Sequence, residues 1–177
     1  MIKTLQELLS EKIAVGIIGK THGLNGELKL HPFTNVLEII ENLKEVVLYN
    51  EKQKKFFVAK ITSIRKANKF YLIKLEGINN IENAKALSGS KIYIDEKELP
   101  EIKENEYYFY EIIGCKVFDE NEKEVGIVEE ILQTGSNDVF VVKNEKEEIL
   151  IPVTEEYVKS IDKKEKLIKI KLPEWLD

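Results

Sequence analysis

Short runs of alternating apolar and polar residues, each closed by a turn, constrain this chain most. Glu27-Leu28-Lys29-Leu30, Lys44–Tyr49 (KEVVLY), Phe56–Ile64 (FFVAKITSI), Phe70–Leu75 (FYLIKL) and Lys91–Ile94 (KIYI) each read as a strand. A further apolar run, Val15, Ile17 and Ile18, ends at Gly19. Only two short helical segments interrupt the series. Val36–Leu43 puts Leu37, Ile40 and Leu43 on one face and can be capped by Thr34-Asn35, while Asn79-Asn80 introduces Ile81–Leu87, which Gly89 ends. Six short strands joined by tight turns suit a β-barrel rather than a βαβ sheet, and closure removes the edges such strands would expose.

The stretch Val15–Pro32 (VGIIGKTHGLNGELKLHP) joins the first two strands, with Gly19, Gly23 and Gly26 as its turn residues. Glycine at such positions permits positive φ or close approach of another group. Gly19 to Glu27 is expected to be a shaped loop carrying Lys20, Thr21, His22 and Asn25. Gly19-Lys20-Thr21 resembles the end of a phosphate-binding loop, but position 14 is Ala and a strand follows where a helix is needed.

Glu96–Glu106 (EKELPEIKENE) is polar, acidic and without apolar period, which marks a boundary. Beyond it, Tyr107-Tyr108-Phe109-Tyr110 leads into strands at Ile112–Phe118, Val125–Leu132, Val139–Val142, Ile149–Val153 and Leu167–Leu172, with a helical turn from Thr154 to Val158. This is a second small barrel. The chain is therefore expected to be mainly β: an N-terminal barrel over 1–97 preceded by an arm at 1–11, a linker at 98–106 and a second barrel over 107–177.

Charge is distributed unevenly. The chain carries a net −5. Residues 1–97 hold 16 Lys+Arg against 11 Asp+Glu, a net of +5, and residues 98–177 hold 11 against 21, a net of −10. Such asymmetry points to different partners for the two halves. There is no run of eighteen apolar residues to span a membrane, and Glu7 and Glu11 exclude a secretory signal at the start. The one cysteine, Cys115, fits a reducing cytoplasm, and with only His22 and His31 beside it no metal site is expected. No cofactor is expected.

Two sets of residues resemble the RimM family of bacterial ribosome maturation factors. The first is Gly16–Pro32, read as G-x-x-G-K-x-H-G-x-x-G-E, followed by Pro32-Phe33-Thr34. The second is Tyr107-Tyr108, Ile113-Gly114-Cys115, Val125-Gly126, Thr134 to Val139 (TGSNDV) and Ile151-Pro152. The resemblance spans about residues 12–175, and position 21 is Thr where many relatives show Pro or Ala. It implies a translation-factor-like six-stranded N-terminal barrel, a PRC-type C-terminal barrel, and a monomeric, non-catalytic factor in assembly of the small (30S) subunit. The implied partners are the immature 30S particle with its 16S rRNA and a head protein of that subunit, the one numbered nineteen.

The same resemblance implicates Tyr107-Tyr108 in partner binding. From the residues alone two readings stand: one tyrosine fills the core while the other is offered to a partner, or both are internal. Gly135 reads as a turn residue between Thr134 and Asp138, as does Gly114, and Asp138 could face a partner or cap the turn. For RNA contact the candidates are Lys54, Lys55, Arg65, Lys66 and Lys69, in a stretch from 52 to 69 without an acidic residue, with Lys20 and His22 beside them. The interleaved Phe56, Phe57, Phe70 and Tyr71 are expected mostly in the core. The alternative class is an RNA-processing or nucleotide hydrolase using the Gly19–Glu27 loop, with His22 and Glu27 as acid and base.

Overall fold

The computed structural model of the chain describes residue 7 and residues 9–103, 105–134 and 136–176. Most of the expected N-terminal arm (1–6 and 8) and Gly135 lie outside the described residues. The chain divides into two compact units, Met1–Ile102 and Lys103–Asp177.

The first unit contains β1 (Lys12–His22), β2 (Glu27–Pro32), α1 (Leu37–Glu41), β3 (Glu45–Asn50), β4 (Lys55–Ala67), β5 (Phe70–Leu75), α2 (Ile81–Lys85) and β6 (Lys91–Asp95). The six strands close into an antiparallel barrel in the order β1-β2-β5-β4-β3-β6, with β6 returning to β1. Alternation delivers the core: Leu28 and Leu30 of β2 meet Ile73 and Tyr71 of β5 in register, and all four are buried. The Tyr71 hydroxyl finds its partner at the helix beside the barrel, donating to Glu41 Oε1 at 3.0 Å. Thr34 Oγ1 accepts from the Val36 N–H at 3.0 Å and so shapes the entry to α1. Asn80 caps α2 by accepting from the Asn83 N–H at 2.8 Å.

Two expectations for this unit are corrected. β1 does not stop at Gly19 but runs on through Lys20, Thr21 and His22, so the loop shrinks to the four-residue turn 23–26. β4 likewise continues through Arg65 and Lys66 to Ala67, leaving the turn to Asn68-Lys69, where Asn68 adopts φ +51°. In both places the sequence looks polar because one face of a strand is wet, and cross-strand pairing extends further than polarity suggests.

The second unit contains α3 (Phe109–Ile112), β7 (Lys116–Phe118), β8 (Glu124–Gln133), β9 (Asp138–Lys143), β10 (Glu148–Pro152), β11 (Val158–Asp162) and β12 (Leu167–Ile170). Their sheet order is β10-β9-β8-β7-β12-β11, with β12 and β7 parallel and the other neighbours antiparallel. Ile112 ends a helical turn here instead of opening a strand. Glu111 Oε1 accepts the Tyr108 N–H at 2.8 Å, which ties down the start of α3. Gly114, at φ +92°, then turns the chain into β7. β11 is an addition to the expected strands: Val158–Asp162 (VKSID) carries too few apolar residues to announce itself and forms by pairing with β12.

Candidate functional site

Charge in the first unit follows the strands. Glu27 is the only carboxylate in β1, β2, β4 and β5, which carry Lys12, Lys20, Lys29, Lys55, Lys60, Arg65, Lys66 and Lys74. Register places Lys29, Leu72 and Arg65 in one row across β2, β5 and β4 on the outer face of the barrel. Leu72 is nonetheless buried, at 2% exposure, as expected when long basic side chains lay their stems over an outward leucine. Lys29 Nζ stands 4.8 Å from the centroid of the Phe70 ring, and His31 lies beside the same ring at 6.1 Å. Burial, reinforced by the Lys29 charge, holds His31 below its ordinary pKa of 6.5.

The glycine turn is built into this face. A Cβ on Gly19 would lie 2.7 Å from His31 Nε2, so Gly19 serves close packing inside β1 and is not a turn residue. Gly23 takes φ +68° in open space. Gly26 takes φ +90°, and a Cβ there would sit 2.4 Å from Ile78 O, so the turn is pressed against the loop after β5. Lys74 Nζ donates to Asn25 O across the same seam. Glu27 accepts from Arg65 Nε and Nη2, both at 3.3 Å. That pairing occupies Glu27 as the charge partner of Arg65, and His22, its register partner on β1, is exposed. The acid–base role considered for His22 and Glu27 finds a structural alternative in these contacts.

The expected basic patch is in fact two. Lys54 and Lys55 sit at the β3–β4 hairpin, whereas Arg65, Lys66 and Lys69 lie at the far end of β4, on the order of 30 Å away at the usual rise per residue. Arg65 shares its end of the barrel with Glu27 and Lys74, and the β1–β2 hairpin brings Lys20 and His22 there. Because the Arg65–Glu27 pair is exposed, its loss should cost little stability. Glu27→Gln is expected to shift unfolding by no more than ~1 kcal/mol in a denaturant titration.

Corrections also fall on the aromatics and the tyrosine pair. Phe56 and Phe57 are 49% and 42% exposed, with Val58 at 57%, while Tyr71 is buried and Phe70 partly so. Conversely, Tyr107 and Tyr108 are 1% and 3% exposed, so neither is offered to a partner by its surface. The Tyr107 ring packs edge-on against Phe140 at 5.7 Å, and its hydroxyl donates to Asp138 Oδ2 at 2.5 Å. Asp138, itself half-buried, is thus the acceptor that holds the Tyr107 hydroxyl. Burial raises the Asp138 pKa against the opposing pull of the Tyr107 hydrogen bond, and burial together with the carboxylate pushes the Tyr107 hydroxyl far up. Tyr108 stacks on Tyr110 at 5.9 Å, and it is Tyr110 and Ile113, at 46% and 41%, that face solvent. Cys115 is fully buried, its thiol donating to Glu111 O at 3.1 Å, and burial raises its pKa. Such a thiol is inert.

Comparison with known proteins agrees with this architecture. Residues 13–99 match the RimM N-terminal domain and residues 109–176 the RimM PRC barrel domain. A protein of Thermosipho africanus named ribosome maturation factor RimM is 58% identical over 178 residues, covering all of both chains. The chain belongs to the RimM family. A relative of the same name from Thermotoga maritima is 48% identical over 176 residues, spanning 99% of this chain and 100% of its own. A solved 16S ribosomal RNA processing protein RimM from Pseudomonas aeruginosa is 29% identical over 92% of this chain and 98% of its own, with a TM-score of 0.48. In this RimM-family chain the two units differ in charge: residues 1–102 hold 16 basic against 13 acidic residues, and residues 103–177 hold 11 against 19. Among the described residues no helix is long and apolar enough to cross a membrane.

Proposed function

We propose that this chain is a non-catalytic assembly factor of the small ribosomal subunit. Its basic first unit contacts 16S rRNA, and its acidic second unit contacts a basic protein of the subunit head, the one numbered nineteen. Kinship over the full length with proteins named ribosome maturation factors, at up to 58% identity, carries this reading. The opposite charge of two separately folded units supports the division of labour, since complementary potentials speed encounter and reject wrong partners. The mechanism is transient holding of an immature head, and it requires tighter binding to the immature particle than to the finished one, because equal affinity would shift no population.

Sedimentation of the full chain with immature and mature small subunits tests it. Retention with the immature particle is expected, and equal retention on both would refute the holding mechanism. Association of the full chain with the isolated head protein should slow at least tenfold between about 50 and about 200 mM salt, as steered encounters do. A rate that ignores salt would remove charge from the account.

A further inference from the structure

The outer face of β6-β3-β4 is not part of the basic face described above. In register, Lys91, Tyr49 and Phe56 form one row across these three strands, and Tyr93, Val47 and Val58 form the next. Inward residues of the same strands, Leu48 and Ile92, are buried in the barrel, which fixes the two rows as outward. Val47 is shielded at 9% exposure, Tyr49 and Tyr93 are half-buried, and Phe56 and Val58 stand open. Tyr49 and Phe56 face each other in register on neighbouring strands, whose backbones lie about 5 Å apart. Beside the aromatic rows the hairpin carries Lys52, Lys54 and Lys55, and its own acid, Glu51, is held by Lys91 at 2.8 Å. Lys60, further along β4, stands opposite Glu45 and is not counted with them.

We propose that this face is a stacking platform for single-stranded RNA. Unpaired bases lie on Phe56 and Tyr49, and the hairpin lysines Lys54 and Lys55 take the adjoining phosphates. An exposed planar ring with a half-buried one beside it in the same row, next to cations whose neighbouring carboxylate is already paired, supplies what base stacking and backbone neutralisation require together. The excess of positive charge on the hairpin favours RNA as occupant over an apolar protein segment, which has no use for it. This inference rests on the proposed role in rRNA binding and names the surface that performs it.

The test is fluorescence anisotropy of the full chain with a short, unstructured, fluorescein-labelled single-stranded RNA. Phe56→Ala is expected to weaken binding about tenfold with the salt dependence unchanged. Lys54→Gln with Lys55→Gln should flatten the log–log salt slope by roughly 0.7 for each phosphate no longer neutralised. Phe56→Leu keeps an apolar side chain without the ring, and Phe56→Trp restores the ring. Stacking demands that Leu behave like Ala and Trp like the parent, with circular dichroism confirming that each is folded. Parent-like binding by both Ala and Leu overturns the platform and leaves the rRNA reading standing. Loss with Ala but retention with Leu also overturns it, pointing to apolar docking. Failure of the unmodified chain to bind RNA overturns both.

Discussion

Tyr107→Ala is expected to destabilise the second unit severely rather than merely to disable a binding surface. The side chain is 1% exposed, packs on Phe140 and anchors the Asp138 carboxylate. Truncating a buried aromatic of this size costs ~3–5 kcal/mol, and domains of this kind have only ~5–15 kcal/mol to lose. Chemical denaturation followed by near-ultraviolet circular dichroism should show the loss directly. Tyr107→Phe separates ring from hydroxyl: it keeps the packing and leaves a buried carboxylate without its donor, for ~1–3 kcal/mol. A Tyr107→Ala variant as stable as its parent would contradict the packing described.

Asp138 adds a pH signature to that experiment. Its pKa is raised in the folded state above the ordinary 3.8, so the folded chain holds this proton more tightly than the unfolded one. Its contribution is therefore most favourable at low pH and is lost as pH rises from about 3.8 through the folded value. Asp138→Asn, which can still accept from Tyr107, should abolish that dependence and cost less than Asp138→Ala. A consequence for function follows: weakened partner binding in variants of Tyr107 or Tyr108 bears on the surface only where circular dichroism shows the second unit still folded. Substitutions at exposed Tyr110 and Ile113 are the ones that interrogate the surface.

Gly26→Ala is the second large effect. The new Cβ would stand 2.4 Å from Ile78 O, a backbone atom that cannot swing aside, at a φ of +90° that L residues rarely adopt. Strain and collision together should cost ~3 kcal/mol or more, seen as a lowered melting temperature for the first unit. Gly23→Ala is the internal control. Its φ of +68° is also left-handed, but the added methyl meets nothing within 4 Å, so about 1 kcal/mol is expected. If both glycines tolerated alanine equally, the packing of the turn on the loop after β5 would be wrong.

Local pattern alone reached the strand count of the first barrel, because the buried leucines and isoleucines of its strands alternate with wetter neighbours. It also reached Gly23, Gly114 and the Asn80 cap, whose conformations are set within a few residues. The same locality explains the misses. Gly19 looked like a turn residue because its reason for being glycine, the His31 ring, lies on the neighbouring strand. Tyr107 looked available because the carboxylate that takes its hydroxyl is 31 residues away. Phe56 looked like core because nothing in a linear reading shows which face of β4 turns away from the barrel interior.

The sequence by itself determined the mainly β character of this protein, its kinship with the RimM family and the opposed charge of its halves. Those properties are sums over neighbouring residues and survive without coordinates. Only the tertiary structure decided which aromatics are wet, which lysines share a face and which carboxylates are already paired. Burial and pairing depend on what distant strands bring alongside, and strand register is a property of the closed sheet.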